Sequence, residues 1–164
     1  MPDLRLKAYG AAAAVFALDM ATKRFIDRHV SDFDTYKVIP GFFDIVHSEN
    51  RGVAFGLFND STSEWRTMLL VVVSLAAVVL VSALLWHPER LDRLSLSGFT
   101  LILGGAAGNV FDRIVWGHVT DFLLFYIGSY QWPAFNAADS AIVIGSGLLL
   151  TDLLRSRRQA ANVS

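Results

Sequence analysis

The stretch Gly104–Asp139, GGAAGNVFDRIVWGHVTDFLLFYIGSYQWPAFNAAD, decides how the chain is read. An apolar helix rich in small residues runs into Asn109, Asp112 and Arg113. An aromatic-rich loop carrying Asp121 follows, and a second apolar helix then opens with Asn136 and Asp139. Charges in so apolar a setting are expensive, since an Asp or Arg at the centre of an inserted helix costs about 3 kcal/mol, and less near its ends. Several such groups gathered near helix ends mark a site. Two lone aspartates on separate elements are what a proteolytic carboxylate pair requires.

The surrounding composition agrees with a membrane setting. The 164 residues are 54% hydrophobic with a mean hydropathy of +0.45, too apolar for an ordinary soluble domain and sized for a single compact one. A net charge of -1 argues against a nucleic-acid partner, which favours a basic surface. The absence of cysteine excludes disulfides, thiolate metal sites and a cysteine nucleophile. His29, His47, His87 and His118 show no metal-ligand spacing, so neither a metal nor another cofactor is invoked. Ser61, Ser63 and Ser140 lack an evident base for nucleophilic catalysis.

Four membrane spans are expected, over about residues 7–26, 67–86, 96–116 and 135–154. The second, TMLLVVVSLAAVVLVSALLW, is uncharged and long enough for the hydrocarbon core. The third and fourth carry small residues (Gly98, Gly104, Gly105, Gly108; Gly145, Gly147) suited to close helix packing. The Ala-rich start of the first could pass for a cleavable signal peptide, but Asp19 and Lys23 continue it at helical spacing and favour a retained helix. Between the first two spans, residues 27–64 read as short strands and turns, including Lys37–Ile39, Phe42–His47 and Val53–Phe58. The expected fold is therefore a mainly α four-helix membrane bundle, forming one domain. It carries a small β-rich extracytoplasmic subdomain and an outer loop between spans three and four.

Charge asymmetry orients it. With four spans, Arg5, Lys7, Arg90, Arg93, Arg155, Arg157 and Arg158 fall on one side, whereas the loop from Gly117 to Ala134 has no Lys or Arg. Positive loops stay cytoplasmic, so both termini are expected there. Asp19, Lys23, Asn50, Asn109, Asp112, Arg113, Asp121, Asn136 and Asp139 then share the outer membrane boundary.

Each has a plainer reading. Asp19 and Lys23 could be only a paired helix end, and Asp112 and Arg113 structural partners on one helix. Asn136 could simply cap the fourth helix, with Asp139 a first-turn acid favoured by the helix dipole. Asp121 has the weakest structural explanation. The aromatics Phe122, Phe125, Tyr126, Tyr130, Trp132 and Phe135 suit an interfacial belt, and could also flank an acyl-chain-bearing substrate.

On these residues the chain resembles the lipoprotein signal peptidase (signal peptidase II) family, aspartyl endopeptidases of the bacterial cytoplasmic membrane. The first-helix pattern appears as LDMATK (Asp19, Lys23), with Met20 where the family commonly has Gln. NRGVAF supplies Asn50, Gly52 and Phe55. GAAGNVFDR supplies Asn109, Asp112 and Arg113, VTDF supplies Asp121, and FNAAD supplies Asn136 and Asp139. Five such patterns in order on the matching four-span plan are specific. The resemblance implies a diacylglyceryl-modified prolipoprotein substrate cut just before its lipidated cysteine. It also implies contact with membrane lipid and sensitivity to the cyclic peptide globomycin. Asp121 and Asp139 are the expected catalytic pair, one ionised to activate water and the other protonated toward the scissile carbonyl. Asp19, Lys23, Asn50, Gly52, Asn109, Asp112, Arg113 and Asn136 are expected to support the site or bind substrate. Two rivals remain on residues alone. A transporter or proton-relay subunit would spread its acids through the bilayer depth. A non-catalytic assembly factor would tolerate loss of Asp121.

Overall fold

The structure, a computed structural model, describes residues 2–52 and 64–161. The expected strand Val53–Phe58, and Phe55 with it, lies outside the described residues. In chain order the elements are α1 (Pro2–His29), β1 (Thr35–Ile39), β2 (Phe43–Asn50), α2 (Glu64–Leu85), α3 (Arg93–Trp116), β3 (Val119–Ile127), β4 (Tyr130–Gln131) and α4 (Ala137–Ala161), with a 3-10 turn at Pro88–Arg90. Among the described residues, three helical stretches are long and apolar enough to cross a membrane: Met68–Leu85, Arg93–Trp116 and Ala137–Gln159. α1 matches them in length, but Asp19, Lys23, Arg24, Asp27 and Arg28 make its second half polar.

α3 sits between the other helices and packs against all three. Asp92 caps its start, accepting from Leu94 N and Ser95 N, and Gly117 ends it in the left-handed conformation at φ 74°. α3 and α4 touch backbone to backbone where Gly98 meets Gly145. A Cβ on Gly145 would stand 2.6 Å from Gly98 O, and one on Gly98 would stand 2.8 Å from Gly145 O. The small-residue stripe thus does what its composition predicts. α2 faces outward instead, with Met68, Leu69, Val72, Val73, Val79 and Leu80 exposed, an apolar surface suited to lipid rather than water.

The segment after α3 departs from the sequence reading. The expected outer loop is largely strand: β3 pairs antiparallel with β2, and β4 returns on β3, giving a four-stranded sheet in the order β1-β2-β3-β4. Val119–Ile127 is rich in β-branched and aromatic residues, and Gly128, at φ 63°, supplies the positive φ its turn needs. The same aromatics suit a membrane belt, so they do not by themselves mark a strand. The sheet is tied to α1 by Phe122, which packs with Ile26 and Val30. A polar tie runs beside it: Thr120 Oγ1 donates to Asp27 Oδ1 at 2.9 Å, while Arg24 holds the other Asp27 oxygen at 2.8 Å. Neither Thr120 nor Asp27 stood out in the sequence, although the Arg24–Asp27 spacing (i, i+3) was a usable signal.

Candidate active site

The polar residues of α1, α3, β2, β3 and the start of α4 converge at one end of the bundle. Lys23, 1% exposed, is at its centre. Its Nζ lies 2.7 Å from Asp19 Oδ2, 2.7 Å from Asp112 Oδ2 and 3.0 Å from Asn109 Oδ1. Asp19 is fully buried, and its second oxygen accepts from Ala138 N at 2.9 Å, closing one of the orphan donors in the first turn of α4. A Cβ on Gly108 would collide with the Asp19 carboxylate, so α3 needs glycine there to let α1 approach. The Asp19–Lys23 spacing predicted a pair, and the structure extends it into a cluster joining three helices.

Asp112 and Arg113 are not each other's partners. Neighbouring residues on a helix point about 100° apart and do not meet. Asp112 turns to Lys23, while Arg113 Nη1 donates to Asn109 O in its own helix at 3.2 Å. Arg113 Nε is buried with no hydrogen-bond partner among the described residues.

Donor and acceptor logic fixes the two asparagines. Asn109 Oδ1 faces the Lys23 ammonium, which can only donate, so the Asn109 amide must turn outward; its Nδ2 lies 2.7 Å from Asp139 Oδ1. Asn136 is fully buried. Its Oδ1 accepts from Asp139 N at 2.9 Å, and its own N donates to Asp139 Oδ2 at 3.3 Å, a reciprocal cap at the start of α4. That leaves Asn136 Nδ2 to donate to Asp121 Oδ1 at 2.7 Å. Both plain readings of Asn136 and Asp139, a helix cap and a first-turn acid, therefore hold, and the same cap bridges the two aspartates.

Asp121 completes the arrangement from β3, 3% exposed. Its second oxygen accepts from Asn50 Nδ2 at 3.0 Å. Asn50 Oδ1 in turn accepts from Gly52 N at 2.9 Å, and Gly52 has a φ of 105°, a conformation that favours glycine. Asp121 thus has specific partners, although its local sequence offers it no structural explanation. Burial pushes its carboxyl up from 3.8 to about 6. The Asp139 charge adds to the rise, while the donors Asn50 and Asn136, and then Lys23, oppose it.

All the sequence-predicted site residues other than Phe55 are thus placed in one connected cluster. An ion pair joins Asp112 to Lys23, and hydrogen bonds run from Asp19 through Lys23, Asn109, Asp139 and Asn136 to Asp121, Asn50 and Gly52. Residues alternate across a strand, so Asp121 shares its face of β3 with Leu123, Phe125 and Ile127. At the far end of that face an apolar recess of about 400 Å³ is lined by Phe42, Phe125, Ile127, Trp132 and Phe135.

Fold and cluster together define a membrane enzyme with a carboxylate-rich polar cluster, Asp121 buried and Asp139 partly so, at one end of its helix bundle. Comparison with known proteins agrees. Residues 11–155 match the family model described as signal peptidase (SPase) II. A lipoprotein signal peptidase of Solibacter usitatus is 68% identical over 164 residues, covering all of both chains. One from Oleidesulfovibrio alaskensis is 44% identical over 138 residues, covering 84% of this chain and 88% of its own. Among solved structures, a bacterial membrane enzyme superposes with a TM-score of 0.80 at 26% identity, covering 92% of this chain and 89% of that one. A second gives 0.78 at 27% identity, covering 90% and 92%. The chain belongs to the signal peptidase II family, and it is a membrane peptidase.

Proposed function

We propose that this peptidase removes the signal peptide from diacylglyceryl-modified prolipoproteins, cutting just before the lipidated cysteine, with Asp121 and Asp139 as an aspartyl pair. The observation that carries the reading is Asn136, whose single side chain touches Asp121 and caps Asp139. Such a bridge holds the two carboxyls in one site where they share a proton, because both cannot ionise cheaply in poorly solvated surroundings. Asp121, held protonated up to about pH 6, donates toward the scissile carbonyl. The Asp139 carboxylate takes a proton from water, which attacks the carbonyl carbon. Collapse of the tetrahedral adduct breaks the C–N bond, and the proton taken from water passes to the leaving amine.

The supporting residues divide by what their hydrogen bonds leave free. Asn109 and Asn136 are committed to the carboxylates and orient them. Asn50 holds Asp121 and its own turn. Arg113, with Nε unpartnered among the described residues, is the group left to meet a substrate carbonyl. Arg113→Ala is therefore expected to lower kcat/KM by about 100-fold with little loss of thermal stability, since a missing hydrogen bond from a charged donor is worth about 1.5–3 kcal/mol. A large fall in the thermal midpoint would instead make Arg113 a structural residue. The aromatic recess, four residues along β3 from Asp121 or about 13 Å, suits an acyl chain of the substrate. A globomycin-type cyclic peptide would compete in the same region.

The test is cleavage of a synthetic diacylglyceryl lipobox peptide by the purified chain, alongside the same peptide without lipid. Cutting before the modified cysteine, and only of the lipidated form, supports the proposal; no cutting of either refutes it. The transporter reading is disfavoured by the gathering of the acids at one end of the bundle.

The same proposal takes α1 as a fourth span, with both termini cytoplasmic and the carboxylate pair at the outer face. Single cysteines at the exposed positions Ser31 and Ser129 should react with an impermeant thiol reagent in intact cells. One at the exposed Ser156 should react only after lysis. The reverse pattern would invert the topology.

A further inference from the structure

At the end of the sheet away from the aspartates, the turns Pro40–Phe42 and Gly128–Ser129 come together, with Tyr126 N donating to Phe42 O at 2.9 Å. Between them, on the face of the sheet opposite the aromatic recess, lies a cavity of about 290 Å³ lined by Lys37, Pro40, Gly41, Asp44, Tyr126 and Gly128. None of these residues takes part in the peptidase site.

Asp44 makes the cavity unusual. It is 4% exposed, and its Oδ1 is buried with no hydrogen-bond partner among the described residues. Lys37 is its directly opposite neighbour on β1, yet it leaves that oxygen unfilled. Tyr126, two residues beyond the β3 partner of Asp44, has its phenol pushed up by burial and by its hydrogen bond to the Asp44 carboxylate. A buried carboxylate oxygen without a donor calls for a partner that the chain does not supply.

The lining narrows what that partner is. A divalent cation wants six or more oxygens, and no group of three metal-binding side chains occurs among the described residues; Lys37 would also repel it. A bare amine would satisfy Asp44 but stand beside a second cation. A simple anion would satisfy Lys37 and face the Asp44 carboxylate. A zwitterion with a primary ammonium and a phosphate gives each side chain its counterpart. The same end of the sheet carries exposed apolar residues on its other face, Ile39 at 50%, Phe42 at 49% and Ile127 at 66%, which place that end at an apolar–polar boundary of the kind where lipid headgroups lie.

We propose that this cavity binds the headgroup of an aminophospholipid, its ammonium on Asp44 Oδ1 and its phosphate on Lys37. A choline headgroup, lacking N–H donors, cannot hydrogen-bond Oδ1 and is excluded, and a glycerol headgroup brings no cation. The site is independent of the peptidase reading, since neither Asp44 nor Lys37 reaches the aspartate pair.

Retention of phosphatidylethanolamine, phosphatidylcholine and phosphatidylglycerol by the full chain, offered in equal amounts in detergent and read by native mass spectrometry, tests the proposal. The wild type should keep phosphatidylethanolamine about tenfold over phosphatidylcholine, the discrimination expected of one charge-assisted hydrogen bond. Asp44→Asn should erase that preference while cutting the lipobox peptide at the wild-type rate in micelles free of phosphatidylethanolamine. Added phosphatidylethanolamine should raise the thermal midpoint of the wild type and not that of the variant. Lys37→Gln, at an exposed position, should weaken retention of phosphatidylethanolamine and phosphatidylglycerol alike, and serves if Asp44→Asn folds poorly. Equal retention of the three lipids by the wild type, or an undiminished preference in both variants, would overturn the proposal.

Discussion

Asp121→Asn and Asp139→Asn are each expected to reduce cleavage of the lipidated peptide by roughly 10⁴-fold or more, with the double variant little worse than either. Asn136 holds both carboxyls, Asp121 through its side-chain amide and Asp139 through its backbone N, so removing either ends the shared titration on which the proposed reaction depends. Effects within such a unit do not add. Stability should move the other way. The Asp121 carboxyl keeps its proton to about pH 6 in the fold, against an ordinary value of 3.8. The folded state therefore binds more protons than the unfolded chain across that window, and its stability falls as pH rises from about 4 to 6. By pH 8 the ionised, buried carboxylate opposes folding by about 3 kcal/mol. Asp121→Asn should thus be at least as heat-stable as wild type at pH 8 and lose that advantage below pH 4. Loss of activity together with loss of fold would instead make Asp121 a structural residue.

The largest stability effect belongs to Lys23. It is 1% exposed and sits against two carboxylates that are themselves 0% and 3% exposed. Lys23→Met would leave Asp19 and Asp112 buried without their cation, a change that costs about 3–5 kcal/mol. The thermal midpoint in detergent should fall sharply. Combining it with Asp19→Asn and Asp112→Asn should recover much of the stability, because an apolar or neutral replacement of a whole buried ion cluster is often nearly neutral. Activity should not return with it. Without the Lys23 ammonium, Asn109 Oδ1 keeps only a longer contact of 3.4 Å from Asn136 Nδ2, and the Asn109 amide is held less firmly toward Asp139. Full activity in the recovered triple variant would show that Lys23 only fills space.

What the sequence disclosed follows from the range of the interactions. Three of the helices show in their uninterrupted apolar runs, and the Asp19–Lys23 pair shows because i, i+4 contacts are local. The placing of Asn136 and Asp139 at the head of α4 was legible for the same reason, since a helix cap is written within a few residues. Contacts across 86 and 119 residues, Lys23 with Asn109 and Asp19 with Ala138, have no local signature. Asp112 and Arg113 suggest a pair because they adjoin in sequence, but neighbours on a helix point apart. β3 was missed because aromatics at a membrane boundary suggest a belt, although the Gly128–Ser129 turn between two apolar runs was a hairpin signal. Asp44 passed unnoticed because an acid in an extramembrane segment is ordinary until its burial is known.

The claim that Asp121 and Asp139 work as one titrating unit is tested most directly by the pH dependence of kcat/KM on the lipidated peptide, for wild type and Asp121→Asn. The account predicts a bell for the wild type, its two limbs reporting macroscopic values of the pair rather than one for each residue, and no measurable turnover by the variant at any pH. A wild-type rate that rises through a single ionisation to a flat plateau, or substantial turnover by a folded Asp121→Asn, would contradict it.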